Sequence, residues 1–242
     1  MDRPLVSIVI PAYNEERRLP VTLPQVMGFL QGQPFTWEVI IADDGSTDGT
    51  ATIVETLAHE QAGLRLLLLP HRGKGSAVRA GMLAATGTYR FFCDADLSVP
   101  PEDWARFLPA LEQAEVAIAS REAPGAVRLQ EPAYRHFMGR CYNLLVRMLL
   151  LPGIYDTQCG FKGFREETIA PLFARQGLEG WGFDVEILYI ARRQRYRIVE
   201  VPVHWIYGRH SRVHPFRDAW RMFWDLWRVR WRAWQGHYNP PR

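Results

Sequence analysis

Lysine is nearly absent from this chain of 242 residues: of its 29 basic side chains only Lys74 and Lys162 are lysines, and the other 27 are arginines. Cysteine is scarce as well. Cys93, Cys141 and Cys159 are odd in number, far apart and without C-x-x-C spacing, which excludes a disulfide scaffold and a structural zinc site and fits reduced thiols in a cytosolic protein. His71 and His210 are likewise read as outside any zinc site, for want of accompanying cysteine ligands. No apolar run is long enough to cross a bilayer, since Leu5 to Ile10 is too short for a signal peptide and Leu144 to Leu151 is interrupted by Arg147. There is no G-x-G-x-x-G after the first apolar run and no G-x-x-x-x-G-K-[ST] anywhere. Those absences argue against a dinucleotide-dependent dehydrogenase and a P-loop NTPase.

What is present is a globular composition, 48% hydrophobic and 23% charged, which sets aside disorder and fibrous repeats. The net charge of +3 is unevenly placed. From Arg209 to Arg242 eight Arg face only Asp218 and Asp225, a local +6 that leaves −3 on the remainder, and five of the nine Trp fall between Trp220 and Trp234. A basic, aromatic tail on a mildly acidic body points to a polyanionic partner, either nucleic acid or the anionic face of a membrane. On a helical wheel Trp220, Trp224, Trp227, Trp231 and Trp234 share a sector flanked by Arg221, Arg228 and Arg232, with Met222, Leu226 and Val229 opposite. Such a helix can pack one side on its own domain and offer Trp and Arg to a headgroup layer, which favours a membrane surface over nucleic acid.

The first half alternates short β-branched or aromatic runs (6–10, 37–42, 64–69, 89–93 and 116–119) with helical stretches at about 16–30, 48–60, 75–85 and 101–113. This is the pattern of an α/β fold with a mostly parallel sheet and helices on both faces, in which ligands bind beyond the carboxyl ends of the strands. Beyond Arg121 the reading gives a loop, an amphipathic helix at about 134–151, a polar turn from Asp156 to Lys162, and a helix at about 166–176. Gly180 to Glu186 opens a further helix, followed by a strand near 197–205 and a long C-terminal helix at about 215–234. Residues 1–212 read as a catalytic domain, and 213–242 as a helix and tail belonging to the same domain or lying at a membrane interface.

Polar clusters follow four of the strands. Asp94-Ala-Asp96 closes a hydrophobic strand, and two hard oxygen donors there suit Mg²⁺ or Mn²⁺ bridging to a diphosphate. Asp43, ending the second strand, is placed to accept hydrogen bonds from a base N–H or a ribose hydroxyl. Lys74, in a Gly-Lys-Gly turn, is expected to touch nucleotide, while Lys162 reads as a structural hydrogen-bonder.

Taken in order, Val6-Ser-Ile-Val-Ile-Pro-Ala-Tyr-Asn-Glu-Glu16, Asp43-Asp-Gly-Ser-Thr-Asp-Gly-Thr50, Arg72-Gly-Lys-Gly-Ser-Ala77, Asp94-Ala-Asp-Leu97 and Ser120-Arg121 resemble the family 2 glycosyltransferases of the GT-A fold. Asp156 to Lys162, Gly180 to Glu186 and Val201-Pro-Val-His-Trp205 resemble its dolichyl-phosphate β-glucosyltransferase branch. The resemblance implies inverting transfer of a hexose, glucose from UDP-glucose, to a polyprenyl phosphate, by a peripheral enzyme on the inner, cytoplasmic face of the membrane. Carried over by position, Pro11, Ala12, Tyr13 and Glu15 would line the nucleoside pocket with Asp43 on the base. Asp94 would lie by ribose and diphosphate, Asp96 would be the principal metal ligand, and Arg121 would face the sugar or phosphates. Arg209 and Arg212 match a basic loop that closes on the diphosphate, although the family usually has Lys at the second position; an Arg still binds phosphate, and bidentately. Mannosyl relatives carry Gln where this chain has Ser98, which makes GDP-mannose the secondary expectation, beside a hydroxyl acceptor. A nucleic-acid-binding module using the basic tail is the alternative of another class, and it gives the carboxylates at the strand ends no role.

If the acceptor is a phosphate monoester, with a second pKa of about 6, it is already largely dianionic at neutral pH and needs no general base. For a hydroxyl acceptor Asp156 is the candidate base, against the alternative that it orients Arg or caps its turn. Arg135, with Arg140 as second choice, is expected on the acceptor phosphate. Asp184 and Glu186 read as structural or supporting.

Overall fold

A computed structural model describes residues 3–208 and 215–239. Five of its strands were expected: β1 (Val6–Ala12), β2 (Trp37–Asp43), β3 (Leu64–Leu68), β4 (Tyr89–Cys93) and β5 (Val116–Ser120). In β1 every residue but Pro11 is buried, and β5 is buried throughout, as runs of Val, Ile and Ala require when helices cover both faces of a sheet. The connecting helices α1 (Leu19–Gln31), α2 (Thr50–Glu60), α3 (Lys74–Ala84) and α4 (Phe107–Gln113), the last preceded by a 3-10 segment at Pro101–Arg106, also lie where the periodicity put them.

The expected polar turn at 156–162 is corrected by the structure. β7 (Phe161–Arg165) begins inside it and runs antiparallel between β4 and β5. The segment Phe-Lys-Gly-Phe-Arg has no β-branched residue and carries a lysine, so neither composition nor alternation marks it as a strand. Lys162 tolerates the sheet interior because its ammonium meets Asp184 at 2.5 Å. The strand expected near 197–205 is broken at Val203. β8 (Ile198–Pro202) closes the main sheet beside β5, and β9 (His204–Ile206) pairs in parallel with β6 (Val127–Leu129), three residues too short to leave a period.

The seven-stranded sheet is ordered β3-β2-β1-β4-β7-β5-β8, with β7 the antiparallel member. Ala12 sits opposite Asp43 and Val9 opposite Phe92, so the carboxyl ends of β1, β2 and β4 open on one edge. Around the sheet lie α5 (Ala133–Leu149), α6 (Glu166–Phe173), α7 (Phe183–Arg193) and α8 (Pro215–Trp234). Apolar clusters fill both faces. In α8 Leu226 and Val229 join the cluster of α5 and α7, whereas Trp220, Trp224, Trp227, Trp231 and Trp234 are 49–84% exposed. Among the described residues no helix is long and apolar enough to cross a membrane.

Candidate active site

β4 ends at Cys93 and delivers Asp94 and Asp96 to the sheet edge, where Leu97, with φ of 47°, turns the chain back. A non-glycine residue in the left-handed region is uncommon and holds the turn that aims both carboxylates. They line a cavity of about 290 Å³ together with Lys74, Arg121, Arg135, Trp181 and Asp184. Lys74, at the start of α3, brings its ammonium to 2.6 Å from Asp94 Oδ1. Burial opposes that charge, but Asp94, Asp184 and Asp96 outweigh it and raise the lysine pKa. Asp96 has a raised pKa from burial first and then from the neighbouring Asp94, although the N–H of Ser98 donates to its Oδ1 at 3.0 Å. Gly160 packs directly under Asp94: a Cβ there would lie 2.3 Å from Oδ2.

These two carboxylates fit a divalent cation. They supply hard oxygen donors at one sheet edge, and their mutual repulsion raises the pKa of Asp96. Among the described residues no three His, Cys, Asp or Glu side chains converge as a closed metal site, so substrate or water oxygens would have to complete the shell.

The cations of the cavity differ in their partners. Arg121 donates from Nε and Nη2 to Asp156 at 2.7 and 2.9 Å, its backbone N–H adds a third bond at 2.9 Å, and its guanidinium lies 5.0 Å from the Trp205 ring. Asp156 is fully buried. Burial alone would raise its pKa, but Arg121 outweighs that and holds it down at about 2. A carboxylate so engaged is a poor proton acceptor, so the geometry gives Asp156 the work of orienting Arg121 and not that of a base. Arg128 is clamped between Glu122 and Glu131. Arg135 stacks over Tyr207 at 5.2 Å and has no carboxylate partner among the described residues. Arg140 is exposed and does not line the cavity; one helical turn and more beyond Arg135, it faces outward with Phe137 and Leu144, which are 69% and 47% exposed.

At the ends of β1 and β2, Tyr13 stacks on His71 at 4.2 Å. Asp43 accepts from the N–H of Ser46 at 3.1 Å and from its hydroxyl. Asp44 accepts from the N–H groups of Arg72 and Gly73 at 2.9 and 2.8 Å, tying the β3–α3 loop to β2. Pro11 and Ala12 end β1, and Glu15 is buried beside Arg18 at 2.9 Å. These residues share the sheet edge with the cavity but do not line it. The expected diphosphate arginines, Arg209 and Arg212, lie outside the described residues.

Sequence reasoning missed Tyr142, Gln158, Trp181, Trp205 and Tyr207 as cavity residues and placed Asp184 only in support. The two aromatics at 205 and 207 stand at strand spacing, a signal that was readable. Tyr142 and Gln158 sit in a helix and a turn, where no spacing rule singles them out.

The profile of Glycosyl transferase family 2 matches residues 7–173. The dolichyl-phosphate beta-glucosyltransferase of Dictyostelium discoideum is 36% identical over 237 residues, covering 92% of this chain and 72% of that protein. The enzyme of the same name from Drosophila melanogaster is 37% identical over 232 residues, covering 87% and 70%. Among solved structures, glucosyl-3-phosphoglycerate synthase from Mycobacterium tuberculosis, in complex with Mn²⁺, UDP and glucosyl-3-phosphoglycerate, superposes with a TM-score of 0.68 over 93% of this chain and 80% of that one, at 19% identity. That likeness establishes the GT-A fold.

Proposed function

The chain belongs to glycosyl transferase family 2, and from that premise we propose that it transfers glucose from UDP-glucose to the phosphate of a dolichyl-type polyprenyl phosphate at the cytoplasmic face of a membrane. One observation carries the reading. A single cavity joins the paired carboxylates Asp94 and Asp96 to Arg135, a cation with no described carboxylate partner, and two of its walls come from α5 and α8, whose outer sides carry exposed Phe, Met and Trp. The names of the relatives support the acceptor and the sugar, and the Mn²⁺ and UDP of the fold neighbour support the donor class.

The reaction is an in-line displacement: an oxygen of the acceptor phosphate forms the bond to the anomeric carbon as the bond to the UDP oxygen breaks, and configuration inverts. Asp94 and Asp96 would hold Mg²⁺ or Mn²⁺, which supplies charge neutralisation of the diphosphate leaving group. Lys74, beside Asp94, adds a positive charge at the same end of the cavity. Arg121, held rigid by Asp156, presents its remaining N–H groups to anionic oxygen without further ordering cost. Arg135 receives the acceptor phosphate, whose dianionic form removes the need for a base. Ser98, lining the cavity beside Asp96, stands where mannosyl relatives carry Gln and favours glucose over mannose.

The test is a donor screen with UDP-glucose, UDP-galactose, UDP-N-acetylglucosamine and GDP-mannose, polyprenyl phosphate in vesicles and Mg²⁺ or Mn²⁺. Glucosyl lipid is the expected product, and Arg135→Ala is expected to raise the acceptor KM with the donor KM unchanged. Turnover of GDP-mannose alone would overturn the donor assignment, and equal transfer to a soluble hydroxyl acceptor the lipid one.

A further inference from the structure

Among the described residues the buried Tyr142 Oη and Gln158 Nε2 lack a hydrogen-bond partner, and both line the cavity that holds Asp94 and Asp96. Folded proteins leave few such atoms because each costs a desolvation penalty that no bond offsets. Tyr142 comes from α5 and Gln158 from the turn before β7, elements far apart in sequence. Their neighbours hold them in register: Asn143 Oδ1 accepts from both the N–H and the hydroxyl of Thr157, at 3.3 and 3.1 Å, and Asn143 and Thr157 are themselves buried. The elements that carry the two unpartnered groups are therefore tied together, on the wall of one cavity, before any ligand arrives.

Their chemistry selects the ligand. An amide N–H and a neutral phenol, whose ionisation is pushed up by burial and by the carboxylates of Asp225 and Asp184, are matched to uncharged hydroxyls, whereas a phosphate is matched by the guanidinium groups on the arginine side. Next to them Asp184 offers a buried carboxylate anchored through Oδ1 on Lys162, and the Trp181 indole supplies a flat apolar wall whose other neighbour is the Lys74 ammonium, 5.1 Å from its centroid. Donor, donor-acceptor, acceptor and flat face together form the complement of a pyranose ring. Gln158 also lies two residues before Gly160, which touches Asp94, so this group sits at the diphosphate end of the cavity.

We propose that Tyr142 and Gln158 read the hydroxyls of the transferred hexose and set donor-sugar specificity, with Asp184 accepting a third hydroxyl. The inference rests on the sugar-transfer reading but not on the identity of the sugar. The test compares binding of UDP, UDP-glucose, UDP-galactose, UDP-N-acetylglucosamine, GDP and GDP-mannose to the full chain with Mg²⁺, by calorimetry, for wild type, Tyr142→Phe and Gln158→Leu. The expected result is that wild type binds one sugar nucleotide more tightly than its bare nucleotide. Each variant should lose about tenfold of that preference while bare-nucleotide affinity stays within twofold. Selectivity in kcat/KM among donors should narrow in parallel. Equal weakening of nucleotide and nucleotide sugar, a change confined to the acceptor KM, or a wild type that binds no sugar nucleotide better than its nucleotide would each overturn the inference. A preferred donor other than UDP-glucose would sink the proposed reaction while leaving this inference standing.

Discussion

Replacing Asp156 by Asn removes one negative charge from a site with no solvent and leaves the Arg121 guanidinium, whose side chain is 14% exposed, without a counter-charge. Breaking a buried pair by removing one partner costs about 3 to 5 kcal/mol. At about 2 to 4 °C per kcal/mol for a chain of this size, the midpoint of thermal unfolding should fall by on the order of 10 °C. The pH dependence separates this account from simple packing loss. The Asp156 carboxyl is held at about 2, against an ordinary 3.8, so its folded form is depressed by about two units, equivalent to about 2 to 3 kcal/mol. For a depressed carboxyl that stability is fully present above the ordinary pKa and is lost as pH falls through the folded one, here between about pH 4 and pH 2. Urea midpoints measured from pH 6 to pH 2.5 should show the gap between wild type and Asp156→Asn closing over that window. A gap that stays constant with pH, or a variant within 1 kcal/mol of wild type at pH 6, would refute the ion-pair reasoning. Loss of turnover with stability untouched would restore Asp156 as a base.

Three further outcomes follow from the same geometry. Gly160→Ala places a methyl group 2.3 Å from Asp94 Oδ2, so the carboxylate must move by about 1 Å; kcat/KM should drop roughly 100-fold with little change in the unfolding midpoint, and retention of full activity would exclude a positioned Asp94. Tyr238→Phe deletes a 2.5 Å hydrogen bond to the fully buried Glu186 carboxylate and should lower stability by about 1.5 to 3 kcal/mol in urea titration; an unmoved midpoint would show that Arg232 and the backbone N–H groups of Gly177 and Leu178 suffice. The triple change Trp220→Ala, Trp224→Ala and Trp231→Ala removes rings that are 50–63% exposed, so flotation on anionic vesicles should weaken by at least about tenfold, a larger effect than the accompanying loss of stability; undiminished flotation would remove α8 from the membrane proposal.

The fold was legible wherever one physical signal dominated. Runs such as Val6-Ser-Ile-Val-Ile10 and Val116-Ala-Ile-Ala119 are buried on both faces and can be little other than central strands. β7 was illegible because its stability comes from elsewhere: Lys162 is neutralised by Asp184, 22 residues away, a pairing that no local window contains. The carboxylates at the strand ends were readable because parallel α/β sheets put ligands there, and Lys74 because it stands alone between glycines. Asp156 and Arg140 were harder. Whether a carboxylate in a polar turn accepts protons or orients an arginine depends on a contact across 35 residues, and whether Arg135 or Arg140 enters the cavity depends on the rotation of α5, which its broad amphipathic pattern leaves open.

The segment between α6 and α7 explains why the tail helix and the cavity lysine, Lys74, belong to one piece of architecture. Glu186, buried on α7, accepts from the N–H groups of Gly177 and Leu178 and from the Tyr238 hydroxyl, with Arg232 of α8 3.4 Å away. On its far side the same segment meets the start of α3. Gly73 has φ of 127° and a Cβ there would fall 2.6 Å from the Glu179 carbonyl oxygen, so only glycine lets α3 approach. Lys74, the next residue, is thereby set against Trp181 and Asp94. The scarcity of lysine then has a physical sense at this one position: an ammonium on a slim stem can reach Asp94 between the Trp181 and Phe183 rings, whereas the planar guanidinium carried elsewhere in the chain needs a wider slot and a second acceptor.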